Sequence, residues 1–366
     1  MTKDNPNAFK LWISADVVKK YFKNTGLNQK QTQSIINNLD SLELKARVRL
    51  IASELKKILP HSYPKALNEL LKITKNQKLK SFELWPTTEF IQSYGLEHVD
   101  LSLRAMYQLT PLFTAEFSIR PFINKFEDEI YKKLLTWKND PNDHVRRWLS
   151  EGTRPRLPWG EKLQVAVLNP EKGLEILEHL KFDSSLYVRK SVSNHLNDIS
   201  KDHPDLVVAT LIKWKKNVPK GFEKEFQFIV SRALRVMVKN GHLGALKFMG
   251  VELVPNSLMC SEFKINKTKL KMGDQLQLNF SVKNMTQKKI KYIIDYVIYF
   301  KKSNCELSPK VFKLKTGFID AGAALDIQKL HSFKPITTRQ YYSGEHRVAL
   351  KINGHESVAQ KFDLKI

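Results

Sequence analysis

Apolar residues recur at helical spacing up to about residue 255 and at strand spacing after it. Leu44, Val48, Ile51 and Leu55 step by 4, 3 and 4 residues, and Val188, Val192, Leu196 and Ile199 by 4, 4 and 3. That is the stripe of an amphipathic helix. Prolines at 60, 64, 86, 111, 121, 141, 170, 204 and 219 fall between such runs, as expected for many short helices. After Pro255 the period becomes two. Leu276, Leu278, Phe280 and Val282 alternate with polar residues, as do Val348, Leu350 and Ile352. Asn353-Gly354 is a hairpin signal, because both residues tolerate positive φ.

The helical part repeats. VRRWLSE from Val145 aligns with VRKSVSN from Val188, an offset of 43 residues, with weaker matches at Leu103-Arg104 and at Val230. A helical period of ~40–47 residues is that of HEAT and armadillo arrays, whose helix pairs bury their apolar faces only by stacking on neighbours. The expected architecture is mostly α: a HEAT-like solenoid over 1–254, followed by a smaller all-β, immunoglobulin-like sandwich over 255–366. The sandwich is read as some seven short strands, with turns at Met272-Gly-Asp, Lys288-Lys289, Gly322, Gly344 and Asn353-Gly354. The antibody-type Cys…Trp…Cys pattern is absent.

Charge narrows the partner. Among 366 residues, 61 Lys and Arg face 37 Asp and Glu, a formal net charge of +24, while 42% of residues are apolar. A folded chain with that excess points to a polyanion. Residues 256–366 hold 20 of the cations and 9 of the acids, so the small domain is basic in its own right. The first residues carry no apolar h-region, and no apolar run reaches the ~18 residues of a membrane span. Neither a secretory leader nor a membrane is expected. The two cysteines, Cys260 and Cys305, form no metal or disulfide framework, so a reducing cytoplasm is the expected compartment. Phosphate-loop, dinucleotide, HExxH and G-x-S-x-G motifs are missing.

Three segments could carry chemistry. In AMYQLTPLFTAEFSI (105–119), Glu116 is the only charge. Read as a helix, the segment desolvates that carboxylate, which is costly unless it is paired or protonated. A salt bridge to Arg104 or Arg120, or exposure on an outer face, would explain it; so would a cationic substrate. In DPNDHVRRWLSEGTRPRLPWG (140–160), a helix should run from about Asn142 to Gly152. Pro155 and Pro158 should then force an extended strap that carries Arg154 and Arg156 at period-two spacing, with Trp159 at its end. Guanidiniums beside an indole suit phosphate with sugar or base. Alternatively, Trp159 plugs the core and the arginines are solvated. In SLYVRKSVSNHLNDISKDHP (185–204), Lys190, Asn194, Asn197 and Lys201 share the face opposite the apolar stripe, with Asp198 at its edge. The mixture suits a phosphate backbone and one cationic centre, and equally an ordinary solvated face.

The strings HVRRWLSEGTRPRLPWG and YVRKSVSNHLNDISKDHPDLV resemble the signature segments of the AlkC branch of HEAT-like-repeat alkylpurine DNA glycosylases, and AEFSIRPFI fits the same family. The resemblance covers the helical part and implies an enzyme that excises cationic alkylated bases, notably 3-methyladenine and 3-methylcytosine. It implies cleavage of the N-glycosidic bond in duplex DNA held in the solenoid, without flipping of the base. A β-sandwich follows in part of that branch. By motif position Asp198 resembles the catalytic aspartate, Glu116 a second active-site acid, and Trp159 the aromatic that contacts the lesion's deoxyribose. Arg147, Arg154 and Arg156 resemble the backbone-contacting arginines.

The chemistry is coherent with this. An N3-alkylated base already carries positive charge and leaves without a general acid. What remains is to stabilise an oxocarbenium-like sugar and to supply water, which a carboxylate can do. No Schiff-base lysine, metal or cofactor is implied, so the expectation is a monofunctional glycosylase that acts as a monomer on alkylated double-stranded DNA. Lys190, Asn194 and Lys201 are further DNA contacts on this reading. Lys288, Lys289, Lys291 and Arg347 are candidate phosphate contacts by which the β domain would clamp the duplex. The competing reading is a non-catalytic helical-repeat scaffold for nucleic acid or an acidic protein.

Overall fold

Proline and asparagine punctuation cuts the first 250 residues into short helices. The computed structural model describes residues 9–261, 263–337 and 339–366. Among these are sixteen α-helices before the first strand, then ten strands. The chain divides into two compact units. One reaches to Asp202 and adds Val218–Ile229; the other comprises His203–Asn217 and Val230–Ile366. Among the described residues no helix is long and apolar enough to cross a membrane.

In the first unit the 43-residue offset has a structural counterpart. The helices Asp143–Gly152 and Leu186–Ile199 pack side by side. Each is capped by a polar side chain, Asn142 Oδ1 accepting from the His144 amide and Ser185 Oγ from the Tyr187 amide, which satisfies one orphan donor of the first turn. Arg146 folds back to donate to the carbonyls of Asp140 and Pro141. Forty-three residues on, Arg189 does the same to Asp183 and Ser184. The repeats are also riveted together, since Arg146 grips Asp183 in a two-pronged pair (2.6 and 2.9 Å). Beneath this, Val188, Val192, Leu196 and Ile199 are all at most 1% exposed. Each such burial contributes roughly 1.5–3 kcal/mol.

Two expectations for the helical part change. The helix Val99–Leu109 stops before Pro111, and residues 110–119 run as turns to the next helix at Arg120. Glu116 therefore stands in an irregular segment, because Pro111 cannot continue a helix. The segment after Gly152 is likewise a tight loop and not an extended strap. The Leu163 amide donates back to the Pro155 carbonyl (3.1 Å) and the Gly160 amide to that of Leu157 (3.0 Å). Trp159 adopts φ +64°.

The strands β1 (Leu258–Cys260), β2 (Lys264–Ile265), β3 (Lys269–Lys271), β4 (Gln275–Asn284), β5 (Ile290–Lys301), β6 (Leu307–Ile319), β7 (Ala324–Ser332), β8 (Gly344–Ile352), β9 (His355–Glu356) and β10 (Gln360–Lys365) form two sheets. In one, β4 pairs with β7 on one edge and with β1 and β2 in succession on the other. The other has the order β3-β10-β8-β5-β6, with β9 folded onto β8. Ten strands replace the expected seven, the extra ones being two- or three-residue pieces too short for a periodic signal. The Asn353-Gly354 turn is present, with φ +48° and +85°. Leu276, Leu278, Ile294, Ile298, Val348, Leu350 and Phe333 fill the core between the sheets. The last short helices of this unit are fastened to the sheet, Lys351 donating to the Lys239 carbonyl and Asn353 to that of Glu252.

Candidate active site

The helix Asp143–Gly152 sets Arg147 and Glu151 one turn apart on one face. The loop that follows returns Arg154 to the same place, and the neighbouring helix brings Asp198 and Ser191. Together with Glu116 these side chains form a chain of alternating charge. Arg147 Nη1 lies 2.8 Å from Glu116 Oε2, and its Nη2 lies 3.6 Å from Glu151 Oε1. Arg154 Nη1 lies 2.5 Å from the same Glu151 oxygen. On its other side Arg154 reaches Asp198 Oδ2 through Nε (2.8 Å) and Nη2 (2.7 Å). Lys201 Nζ ends the chain, 3.0 Å from Asp198 Oδ1. Ser191 donates to Glu151 Oε2 (2.5 Å) and Thr114 to Glu116 Oε2 (3.0 Å).

Every member but Lys201 is buried or nearly so. Taking carboxylates out of water is costly, and the interleaved guanidiniums offset that cost. Burial pushes the Glu116 carboxyl above its ordinary range; Arg147 pulls it down again and the nearby Glu151 raises it. Burial also works against the charged arginines. The carboxylates more than compensate, holding Arg147 and Arg154 above the usual guanidinium value. Glu116 thus pairs with Arg147 and not with Arg104 or Arg120. Its two contacts fall on Oε2 and leave Oε1 unclaimed.

Arg120 has a different task. It is 1% exposed and donates only to carbonyls of the loop: Gly152 (3.0 Å), Arg154 (2.8 Å), Pro155 (3.5 Å) and Glu161 (2.6 Å). Desolvation brings its pKa down to about 10. Sequence reasoning missed Arg120 and Glu151 as site residues. Both had signals: a lone arginine inside the apolar run FSIRPFI must find acceptors when buried, and Glu151 lies four residues after Arg147 and three before Arg154.

Trp159 does not plug the core. Its ring is 49% exposed, on a left-handed backbone that costs a non-glycine residue roughly 1–3 kcal/mol. The loop is held in that shape by Arg120 and by Lys45, which donates to the Trp159 carbonyl (2.8 Å). The indole stacks on Trp85 (6.3 Å, 19°) and meets the edge of Phe9 (5.7 Å). Trp85 in turn stacks on Phe117 (5.1 Å, 15°), the residue after Glu116. An aromatic wall therefore runs from the solvent-facing indole to the backbone that carries the first acid.

The other sequence candidates divide. Arg147 and Arg154 are committed to the acids. Arg156 grips Asp202 with two nitrogens (2.6 and 3.2 Å) and is half-buried. Lys190 is exposed and Asn194 half-buried. Asn197 and Asp198, expected on a polar face, are each 2% exposed, because the acid chain covers that side of the helix. His195 is fully buried against Gly173, and neither ring nitrogen is in full hydrogen-bond geometry with a partner among the described residues. Burial, with the Arg154 charge, drops its pKa to about 3, so it stays neutral. In the β unit, Lys288 pairs with Glu252 (2.7 Å), Lys289 with Asp320 (3.1 Å) and Arg347 with Glu345 (2.9 Å). Lys291 donates to the Met249 carbonyl (2.8 Å). Among the described residues no group of three His, Cys, Asp or Glu side chains is placed to hold a metal ion.

Three findings relate this chain to known proteins. A family model described as "Uncharacterised protein YhaZ, C-terminal Ig-like domain" matches residues 259–366. The uncharacterized protein YhaZ of Bacillus subtilis (strain 168) is 35% identical over 313 residues, 86% of this chain and 85% of that one. The structure of the Pseudomonas fluorescens alkylpurine DNA glycosylase AlkC, bound to DNA containing an abasic site analog, superposes with a TM-score of 0.88. It is 31% identical and covers 98% of this chain and 100% of its own.

Proposed function

This chain belongs to the family of YhaZ and AlkC, and from that premise we propose that it is a DNA glycosylase of alkylation repair. It hydrolyses the N-glycosidic bond of cationic N3-alkylated bases, 3-methyladenine and 3-methylcytosine, in duplex DNA. One observation carries the reading: two buried carboxylates, Glu116 and Asp198, are each anchored by a guanidinium through one oxygen, beside an exposed tryptophan on a strained loop.

The anchoring suits the reaction. Arg154 holds Asp198 Oδ2, and Oδ1 meets only the ammonium of Lys201, whose side chain is 38% exposed. Lys201 swings away toward a DNA phosphate, and Oδ1 then faces the sugar. There its charge stabilises the developing oxocarbenium ion, and the same oxygen takes a proton from the attacking water. The base departs with the bonding electron pair, which neutralises its own positive charge, so no acid has to protonate it. Glu116 Oε1 stands by as the second negative pole. The Trp159 face receives the deoxyribose of the lesion. Its π cloud adds attraction for positive charge, on the order of 0.5–2 kcal/mol. Because that face is open, the base does not have to be extruded into a closed pocket.

The test is release of methylated base from methylated duplex DNA by the wild type, Asp198→Asn and Glu116→Gln. Asp198→Asn should lower the single-turnover rate by ~10²–10⁴-fold, with Glu116→Gln intermediate. Activity should also fall in acid at a pH above the ordinary glutamate range, where Glu116 takes up a proton. A wild type that releases no base overturns the enzyme reading; full activity in both variants overturns the assignment of the acids.

A further inference from the structure

The β unit holds a cleft of about 410 Å³ between the β5–β6 turn and the segment before β8, lined by Phe300, Lys302, Ser308, Lys310, Arg339 and Tyr342. Its charge is one-sided. No described carboxylate forms an ion pair with Lys302, Lys310 or Arg339. The nearest acid in the chain, Glu306, accepts from the Asn304 amide (2.8 Å). Among the described residues Arg339 has no side-chain hydrogen-bond partner. Its guanidinium lies over the Phe300 ring at 4.0 Å, flanked by Phe312 at 5.7 Å and Tyr341 at 5.8 Å. Lys310 Nζ stands over the same Phe312 ring at 5.5 Å. A guanidinium packed over aromatic rings, with no acid partner among the described residues, keeps its N–H donors available for two-pronged contact with a phosphate. Desolvation together with the Arg339 and Lys239 charges lowers the Lys310 pKa, the mark of cations gathered without a counterion.

We infer that this cleft is a phosphate site for the sugar-phosphate backbone of duplex DNA, with Arg339 as the two-pronged contact and Lys302 and Lys310 closing on the same or the adjacent phosphate. This rests on the reading of the chain as a duplex-binding enzyme, and it deepens that reading by naming the surface through which the immunoglobulin-like domain holds DNA. Lys288, Lys289 and Arg347 have acids within the protein, whereas the three cleft cations have none, so an incoming phosphate there displaces no ion pair. The contact reads no bases and so adds affinity without sequence preference.

The experiment uses the full chain and an unmodified duplex, with log Kd measured against log salt for the wild type, Lys302→Gln/Lys310→Gln, Arg339→Gln and Arg339→Lys. Each phosphate contact removed should lower the slope by about 0.9. Arg339→Lys should keep the slope and lose affinity, since it keeps the charge but not the fork. The double lysine variant touches no core residue, so it tests the site even if Arg339→Gln perturbs folding. Unchanged slopes in both overturn the proposal. A parallel arm titrates thymidine monophosphate: saturation at micromolar concentration, with duplex binding indifferent to the substitutions, would assign the cleft to free nucleotide and overturn it too. Failure of the two readings is separable. Slopes that fall while even the wild type releases no methylated base sink the glycosylase and keep the cleft. Base release with unchanged slopes does the reverse.

Discussion

In the helical unit the cations nearest the candidate site are paired: Arg147, Arg154 and Lys201 each hold a carboxylate. In the β unit Lys302, Lys310 and Arg339 surround a cleft with no acid in it. Both halves are basic by composition, yet the positive charge does opposite work. In the first it makes buried negative charge tolerable. In the second it is left unbalanced by any acid among the described residues. Net charge therefore marks a DNA-binding protein without marking which cations touch DNA. That depends on whether the protein already supplies each cation with a partner.

The widest separation between the two regions should come from deleting one arginine in each. Arg154→Met leaves Glu151 and Asp198 buried without their shared counterion, a change that costs about 3–5 kcal/mol. Urea unfolding of the helical unit at pH 7 should register a loss of that order. Arg339→Met should cost about 1 kcal/mol, the loss of a half-buried guanidinium over aromatic rings. Equal losses would mean that the two cations are embedded alike, and the contrast drawn here would collapse.

How far the contrast could be read from the sequence varied with distance along the chain. The change of period near Pro255, the helix start near Asn142 and the 43-residue offset are local signals, and the structure carries all of them. Glu116 was singled out for being alone in an apolar run, and it is buried for that reason. Its partner was not legible, because Arg147 lies 31 residues away and only the packing of a turn segment on a helix brings them together. The strap failed as an extended segment because its shape is imposed from outside, by Arg120 through four carbonyls. Arg339 offered no pattern, since its role depends on Phe300 and Phe312 from strands of another part of the sheet.

Two buried histidines sharpen the comparison at a smaller energy. His195 in the helical unit and His331 in the β unit have folded pKa values lowered to about 3 and about 4, in each case chiefly by burial. The unfolded chain takes up a proton near pH 6.5 while the folded chain does not. Each therefore withdraws stability as pH falls below 6.5, until its folded pKa is reached. At pH 5 the loss is about 2 kcal/mol per histidine. His195→Leu should remove this acid loss at little cost at pH 7, because neither ring nitrogen is in full hydrogen-bond geometry with a partner among the described residues. His331→Leu should remove the same acid loss but destabilise at pH 7, because His331 Nδ1 meets the buried Tyr296 hydroxyl at 2.9 Å. Melting temperatures at pH 7 and pH 5 decide it. Identical behaviour of the two variants at pH 7 would show that the hydrogen bond is immaterial.

The smallest expected effect bears most directly on how charge is read. Lys288 and Lys289 are exposed and basic, and by sequence alone they are candidate phosphate contacts. In the structure each has an acid of its own, Glu252 and Asp320. A phosphate arriving at either lysine must displace that carboxylate, and the counterion release that drives DNA binding shrinks accordingly. Lys288→Gln/Lys289→Gln should leave both the melting temperature and the salt slope of duplex binding unchanged within error, where Lys302→Gln/Lys310→Gln lowers the slope. If the two double variants lower it equally, an internal acid partner is no guide to which cations bind DNA, and the case for the cleft reduces to exposure alone.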